Sequence, residues 1–388
     1  MREVAVAGVG MTPFGVYPER RLEDLIHDAG SQALADAGIW ERRREVEALY
    51  VGNFSAEGFN GQNHLAPIAA RALGLGGIPA TRTEGACASS GIAFREAALL
   101  VAGGVYEMVL VVGVEKMNAL ETPGITRVLG EAAHAEEEAA VGATFPSLFA
   151  MIARRHMHQY GTTREMLSAV AVKNHRHGLR NPRAHMRKEI TLEKAMAAAP
   201  ICEPLNLYDC SLISDGAAAA LVTTLDRARG LAAMPIRVLG AGQASDAPCL
   251  HHKPDITVSR ATRWAAERAF AQAGLGPGDV SFAEVHDCFT IAEILATEDL
   301  GLVEKGKGGP AVLEGATSLG GRIPVNVSGG LKSKGHPVGA TGVAQIVEAV
   351  TQLRGDAGDR QIEGARVGLT HNLGGSGATC TVHLFGRA

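Results

Sequence analysis

Two patterns of apolar positions alternate along the chain. Short unbroken apolar runs are followed by stretches in which apolar residues recur every three or four positions. Val4 to Val9 is the first such run, and it ends at Gly10 as a buried strand would. Leu22 to Ala37 then sets Leu25, Ile26, Ala29, Ala33 and Leu34 on one helical face, with Gly38 as its stop. Ala48 to Val51 reads as a second strand ending at Gly52-Asn53, and His64 to Leu73 as a helix closed by Gly74. Ile78 to Thr83 is a third strand, a helix runs from Gly91 to Val101, and Met108 to Val114 is a strongly apolar fourth strand. This alternation predicts an α/β fold built on a parallel sheet covered on both faces.

The alternation stops after Met117 and resumes at the small-residue strand Gly216 to Thr224. The second half of the chain then repeats the first. Val4–Gly10 resembles Ile236–Gly242. Glu47–Asn53 is followed by Phe-Ser, and Phe282–Cys288 by Phe-Thr. The turn around Cys87 has a counterpart in Ser333–Gly342, which opens a helix from Val343 to Leu353. Val109–Gly113 matches Val367–Thr370. The pattern predicts two similar βα halves, 1–118 with 206–232 and 233–388, the first interrupted by an insertion at 119–205.

Composition narrows the class. The chain has 388 residues, 46% hydrophobic and only 4% aromatic, with 48 glycines, which suits tight βα turns in two core-forming units. A net charge of -4 argues against a nucleic-acid binder. Six cysteines form no C-x-x-C pair and no familiar zinc spacing, so the expectation is reduced thiols in the cytoplasm and no metal. No signal peptide and no apolar run of membrane-spanning length is evident. Inside the insertion, residues 154–188 carry nine Lys or Arg against a single acid, Glu165. A basic insertion in an acidic chain points to an anionic ligand, with Lys173, Asn174 and Arg176 as candidate contacts.

The candidate chemistry lies at the strand-to-helix junctions. Cys87, in Glu84-Gly-Ala-Cys-Ala-Ser-Ser-Gly91, sits between a strand and a helix N-terminus, where free N–H groups are expected to lower its pKa and favour a nucleophilic thiolate. His286 and Cys288 follow the strand ending at Val285. His336 stands at a helix start. His371-Asn-Leu-Gly-Gly-Ser-Gly377 follows the strand Val367–Thr370, and a Gly-rich turn with Gly374 and Gly375 can aim backbone N–H groups at an oxyanion. Ligands in open α/β sheets gather at the carboxyl ends of strands, so these junctions predict one site at the interface of the halves.

Taken together, Gly85–Gly91, His286-Asp-Cys-Phe289, Gly335-His-Pro-Val-Gly-Ala-Thr-Gly342 and His371–Gly375 resemble the motifs of the thiolase superfamily. The sequence is most similar to its sterol-carrier-protein-type and archaeal or bacterial acetyl-CoA acetyltransferase branch. Lys173-Asn-His175 with Asn181-Pro182, and Ser214–Ala218, fit as well. The resemblance spans essentially the whole chain. It implies a five-layered αβαβα fold with a loop domain over a coenzyme A site. It implies Claisen condensation of acetyl-CoA, or thiolytic cleavage of a 3-ketoacyl-CoA, through an acyl-Cys87. By the resemblance, His336 takes the proton of Cys87 and helps hold the thioester oxygen, His286 serves the same oxyanion hole, and the N–H groups of Cys87 and the 373–375 turn form a second. Two departures from the commoner pattern stand out. His371 occupies the place of the usual second catalytic cysteine, and His286-Asp-Cys-Phe289 replaces Asn-Glu-Ala-Phe. Cys288 is therefore expected to supply the acid/base sulfur.

The resemblance also implies acyl-CoA and CoA as ligands, no resident cofactor, a homodimer or dimer of dimers, and no membrane or nucleic-acid partner. Two further readings compete with it: a ketoacyl-synthase-like condensing enzyme, and a CoA-binding subunit that depends on, or only supports, a small OB-fold partner. Cys87 argues against a retro-aldolase. With the chain ending at Ala388 after its last strand, lipid transfer is not expected.

Overall fold

The computed structural model describes residues 1–388. Eleven strands form: β1 (Val4–Met11), β2 (Ala48–Gly52), β3 (Ala80–Thr83), β4 (Met108–Glu115), β5 (Pro200–Cys202), β6 (Leu205–Asn206), β7 (Gly216–Thr224), β8 (Ile236–Ser245), β9 (Phe282–Glu284), β10 (Val367–Gly374) and β11 (Thr379–Arg387). Nine of them make one sheet in the order β3-β2-β4-β7-β1-β8-β11-β10-β9, and β5–β6 is a separate hairpin. The helices that matter for the site are α1 (Leu22–Asp36), α2 (Ser89–Ala102), α3 (Phe145–Tyr160), α4 (Arg164–Gly178), α5 (Arg260–Ala273), α6 (Thr290–Asp299) and α7 (Thr341–Arg354). No helix is long and apolar enough to cross a membrane.

The repeat seen in the sequence is a repeat in space. Outward from the β1–β8 pairing, where Ala5 faces Arg237 and Val6 faces Ile236, one half runs β1, β7, β4, β2, β3. The other runs β8, β11, β10, β9, and a bridge from Ala283 to Val325 supplies its fifth position. The expectation of a parallel sheet needs correction. β2 runs parallel to β3 and β4, and β9 to β10, but β7 and β11 return antiparallel, so the sheet is mixed. The small-residue run Gly216–Thr224 is fully buried, because it is the strand sandwiched between β4 and β1.

The central helices α2 and α7 each follow a catalytic-looking turn, and both feed one core with Phe94, Ala97, Val101, Val343, Ile346 and Val350. Their N-terminal ends cross at glycines. A Cβ at Gly342 would lie 2.4 Å from the Gly91 nitrogen, so the two helix starts meet only because Gly342 has no side chain. Residues 119–205 add no strand to the main sheet. Their helices α3 and α4 pack Leu148, Phe149, Ile152, Leu167 and Val170 against Cys288, Phe289, Ile291 and Ile294 of the second half. All six cysteines are free.

Candidate active site

Cys87 stands in a short turn, 86–88, between β3 and α2. Ala86 before it holds φ at 51°, a left-handed conformation that costs a residue with a side chain some strain. His336 stands just ahead of the turn 338–340 that opens α7, and His286 follows β9. The structure brings these three together. Cys87 Sγ and one ring nitrogen each of His286 and His336 lie within 4.8 Å of one another, and the two rings meet edge to face at 5.1 Å.

The hydrogen bonds fix where the protons sit. Thr341 Oγ1 donates to the Pro337 carbonyl, so it accepts from His336 Nδ1 at 2.7 Å. His336 thus carries its proton on Nδ1 and keeps a lone pair on Nε2. Asn372 Nδ2 donates to the Cys87 carbonyl at 2.9 Å, which orients the amide, and also reaches His286 Nδ1 at 3.2 Å. His286 Nδ1 is then the acceptor and Nε2–H the donor. That Nε2 is buried without any partner. An orphaned buried donor beside a cysteine and a basic imidazole is what an incoming thioester oxygen requires.

Electrostatics differ from the sequence expectation at Cys87. Desolvation pushes its thiol up to about 12, although the N–H groups of Gly375 and of Cys87 itself favour the thiolate. Burial outweighs the helix N-terminus. Burial also lowers His336 to about 3 and His286 well below the usual range, the latter aided by its neighbours His336 and His371. The resting site is therefore an uncharged thiol beside an uncharged imidazole. Burial raises Cys288 well above an ordinary thiol, and charge on Cys87 would raise it further. That coupling places the two sulfurs in one electrostatic neighbourhood.

The other expectations divide. Gly375, at φ 60°, begins the turn after β10 and its N–H faces the Cys87 sulfur. Gly374 is still in the strand, and a Cβ there would meet the Gly85 carbonyl at 2.3 Å, so it serves close packing of the Cys87 turn. His371 through Gly374 were expected in a turn and instead extend β10, paired with β11 from His371–Val382 to Gly374–Thr379. His371 itself is buried, with Nε2 on Thr262 Oγ1 at 3.0 Å and Nδ1 receiving the His286 N–H at 3.3 Å.

Lys173 and Asn174 are not anion contacts. Lys173 Nζ is buried, pairs with Glu293 Oε1 at 2.9 Å and donates to the Val325 carbonyl at 2.8 Å. Asn174 Nδ2 donates to Asp287 Oδ2 and Glu293 Oε2, each at 2.7 Å. Asp287 in turn accepts from the Leu331 N–H at 2.7 Å. This network ties α4 beneath the His286–Cys288 turn. Of the three candidates only Arg176 is exposed.

Four residues that sequence reasoning left without a role support the site: Asn372, Thr341, Asp287 and Glu115. Glu115, buried at the end of β4, accepts from Asn53 Nδ2 and the N–H groups of Phe54 and Gly339. It pins the His336 turn of one half to the first half, and desolvation raises it to about 7. Asn372 and Thr341 lie inside recognised motifs, which was the available signal. Lys173 stands three residues after buried Val170 on one helical face, a spacing that marks it as inward.

A family model described as "Thiolase, N-terminal domain" matches residues 4–226, and one described as "Thiolase C-terminal domain-like" matches 242–387. The chain belongs to the thiolase family. It is 50% identical to acetyl-CoA acetyltransferase of Methanothermobacter thermautotrophicus, over 100% of both chains. It is 36% identical to benzoylsuccinyl-CoA thiolase subunit BbsB of Thauera aromatica, over 96% of this chain and 95% of that one. Among solved structures, the Ltp2-ChsH2(DUF35) aldolase superposes with a TM-score of 0.87 at 29% identity, over 99% of this thiolase and 98% of that chain. The full-length match to acetyl-CoA acetyltransferase carries the activity class: this thiolase is an acyltransferase.

Proposed function

We propose that this thiolase condenses two molecules of acetyl-CoA, or cleaves the 3-ketoacyl-CoA product in reverse, through an acyl-Cys87. The observation that carries the reading is the unpartnered His286 Nε2–H beside Cys87 and the free Nε2 of His336. Cys87 Sγ adds to the thioester carbonyl as its proton passes to His336 Nε2. The N–H groups of Cys87 and Gly375 receive the oxyanion. The departing CoA thiolate takes the Cys288 proton, which leaves a Cys288 thiolate. That thiolate is a strong base because its surroundings disfavour it, which suits the weakly acidic carbon next to a thioester. It removes the α-proton of the second acetyl-CoA, and His286 Nε2–H with protonated His336 holds the enolate oxygen. The carbanion attacks acyl-Cys87, and the released Cys87 thiolate recovers its proton from His336. The proton count closes with no resident cofactor.

Incubation with acetyl-CoA is expected to add the mass of one acetyl group to Cys87. Cys87→Ala abolishes the adduct and lowers turnover by at least ~10³-fold. Cys288→Ala still acylates but fails to condense. An adduct mapped to another cysteine, or condensation at native rate in Cys288→Ala, rejects the assignment.

Exposed cations of the insertion, Arg176 among them, are placed by this reading at the phosphates of CoA. The reading includes a cytoplasmic homodimer through the edge strand β3, whose outer edge pairs with nothing in the chain. Sedimentation as a monomer at micromolar concentration would remove that part. A second reading, dependence on a small partner protein, is favoured by the structural neighbour whose aldolase includes a DUF35 chain. Full turnover by the isolated chain excludes it.

A further inference from the structure

A second cluster of metal-type ligands lies outside the catalytic set. Cys249, His251 and His252 come from the short segment between β8 and α5, and Glu137 comes from the insertion. One ligand atom from each of the four lies within 4.8 Å of all the others. Both imidazoles aim Nε2 at the same oxygen: His251 at 2.8 Å and His252 at 3.3 Å from Glu137 Oε2, with ring centroids 4.1 Å apart. Cys249 is fully buried behind them.

Two closely packed histidines, their rings tilted by 54° and competing for one carboxylate oxygen with a thiol as the fourth neighbour, make a poor surface ion pair and a good donor set. We propose that Glu137, Cys249, His251 and His252 bind a divalent transition-metal ion, zinc above all. Zinc favours four nitrogen, sulfur and oxygen donors in a tetrahedron, with bonds of ~2.0–2.3 Å and thus donor separations of roughly 3.3–3.8 Å. The cluster reaches that geometry by sub-ångström to ångström shifts of side chains that are mostly exposed. Thiolate and carboxylate balance the ion's two positive charges, and binding releases the Cys249 proton and leaves each Nε2 as a lone-pair donor. The carboxylate is held from behind. The Glu137 N–H donates to His134 Nδ1 at 3.3 Å, which puts the single His134 ring proton on Nε2, 3.5 Å from Glu137 Oε1. The Leu250 N–H also anchors on neighbouring Glu138 Oε1 at 2.9 Å.

The location gives the site a purpose. Lys253, the next residue, donates from Nζ to the Ser376 and Gly377 carbonyls at 3.0 Å, and Ser376 Oγ donates to the Pro248 carbonyl at 3.0 Å. The ion would clip the insertion to the segment that braces the turn carrying the Gly375 N–H. The spacing Cys-x-His-His with a distant Glu fits no familiar pattern, so the sequence pointed away from a metal.

The test uses the full chain, stripped with chelator and titrated with Co²⁺ and Zn²⁺. Because Cys87, His286 and His336 are also a cysteine–histidine group, the titration is repeated in Cys87→Ala. One equivalent should bind in both proteins, and the Co²⁺ form should show a thiolate-to-metal charge-transfer band. The paired exposed substitutions His251→Ala and His252→Ala should weaken binding by at least ~10²-fold with the metal-free melting temperature unchanged, since neither ring is buried. Cys249→Ser should remove the charge-transfer band. No uptake, uptake lost in Cys87→Ala, or uptake retained in the double histidine variant overturns the site.

Discussion

Asn372 decides which proton sits where in the site. Its amide donates to the Cys87 carbonyl and to His286 Nδ1, and so leaves His286 with a single donor aimed inward. Asn372→Ala frees that tautomer. The expected outcome is a fall in kcat of ~10–10²-fold with KM for acetyl-CoA little changed, because the lost order matters only as the oxyanion forms. Steady-state kinetics check this, and a change confined to KM would show that Asn372 merely packs. At this scale the sequence was half legible. Cys87 and His286 could be named because each stands where a strand gives way to a turn, and His336 because it stands at a helix start. The role of Asn372 depends on hydrogen-bond partners remote in sequence, Cys87 and His286, which no local pattern reveals, whereas the partners of Thr341, His336 and Pro337, lie within its own motif. Lys173 was misassigned for a related reason. A run of positive charge does not say which cation faces inward, and this one meets Glu293 across the fold.

Among the elements, the crossing of α2 and α7 sets the distance between nucleophile and base. Gly342→Ala would press a methyl against the Gly91 backbone at 2.4 Å, and backbone cannot swing aside as a flexible side chain does. Overpacking of this kind costs ~1–3 kcal/mol. The expected result is a lower melting temperature together with a lower kcat, since any relief separates the Cys87 and His336 turns. Gly130→Ala, at the end of the helix Thr122–Gly130 with open space around it, is the matched control and should leave both unchanged or slightly raise stability. Native kcat in Gly342→Ala would show that the crossing does not set the site. The strands and helices themselves were legible because their periods are local. Their direction was not: nothing within Gly216–Thr224 says that it runs against β4, so a parallel sheet was expected where a mixed one forms. The same blindness placed His371 to Gly374 in a turn, whereas pairing with β11 keeps them extended.

For the molecule as a whole, the buried histidines set how stability responds to acid. His177, His336, His371 and His383 are lowered to about 3 and His175 to about 4, in each case first by burial. In the unfolded chain these imidazoles take up protons below about pH 6.5, whereas the folded chain refuses them until far lower. The unfolded state therefore binds more protons across that window, and stability falls as the pH drops from about 6.5 toward 3. Glu115 and Asp287 act the other way. Both are raised to about 7, so the stability they hold is complete below their unfolded values and is lost as pH rises through 7. Burial likewise lowers His286 and His185 and raises Glu284 and Asp299, so four carboxyls oppose seven imidazoles and the acid-side loss dominates between about pH 5 and 6.5. His383 isolates one share of it. The ring packs between Phe94 and Phe385 at 5.1 and 6.2 Å, its Nε2 has no partner, and it lies outside the catalytic set. His383→Phe should reduce the slope of unfolding free energy against pH by about 1.4 kcal/mol per unit between pH 5 and 6, the value of one proton. Urea denaturation at a series of pH values measures that slope, and an unchanged slope in the variant would mean that His383 is protonated in the folded chain.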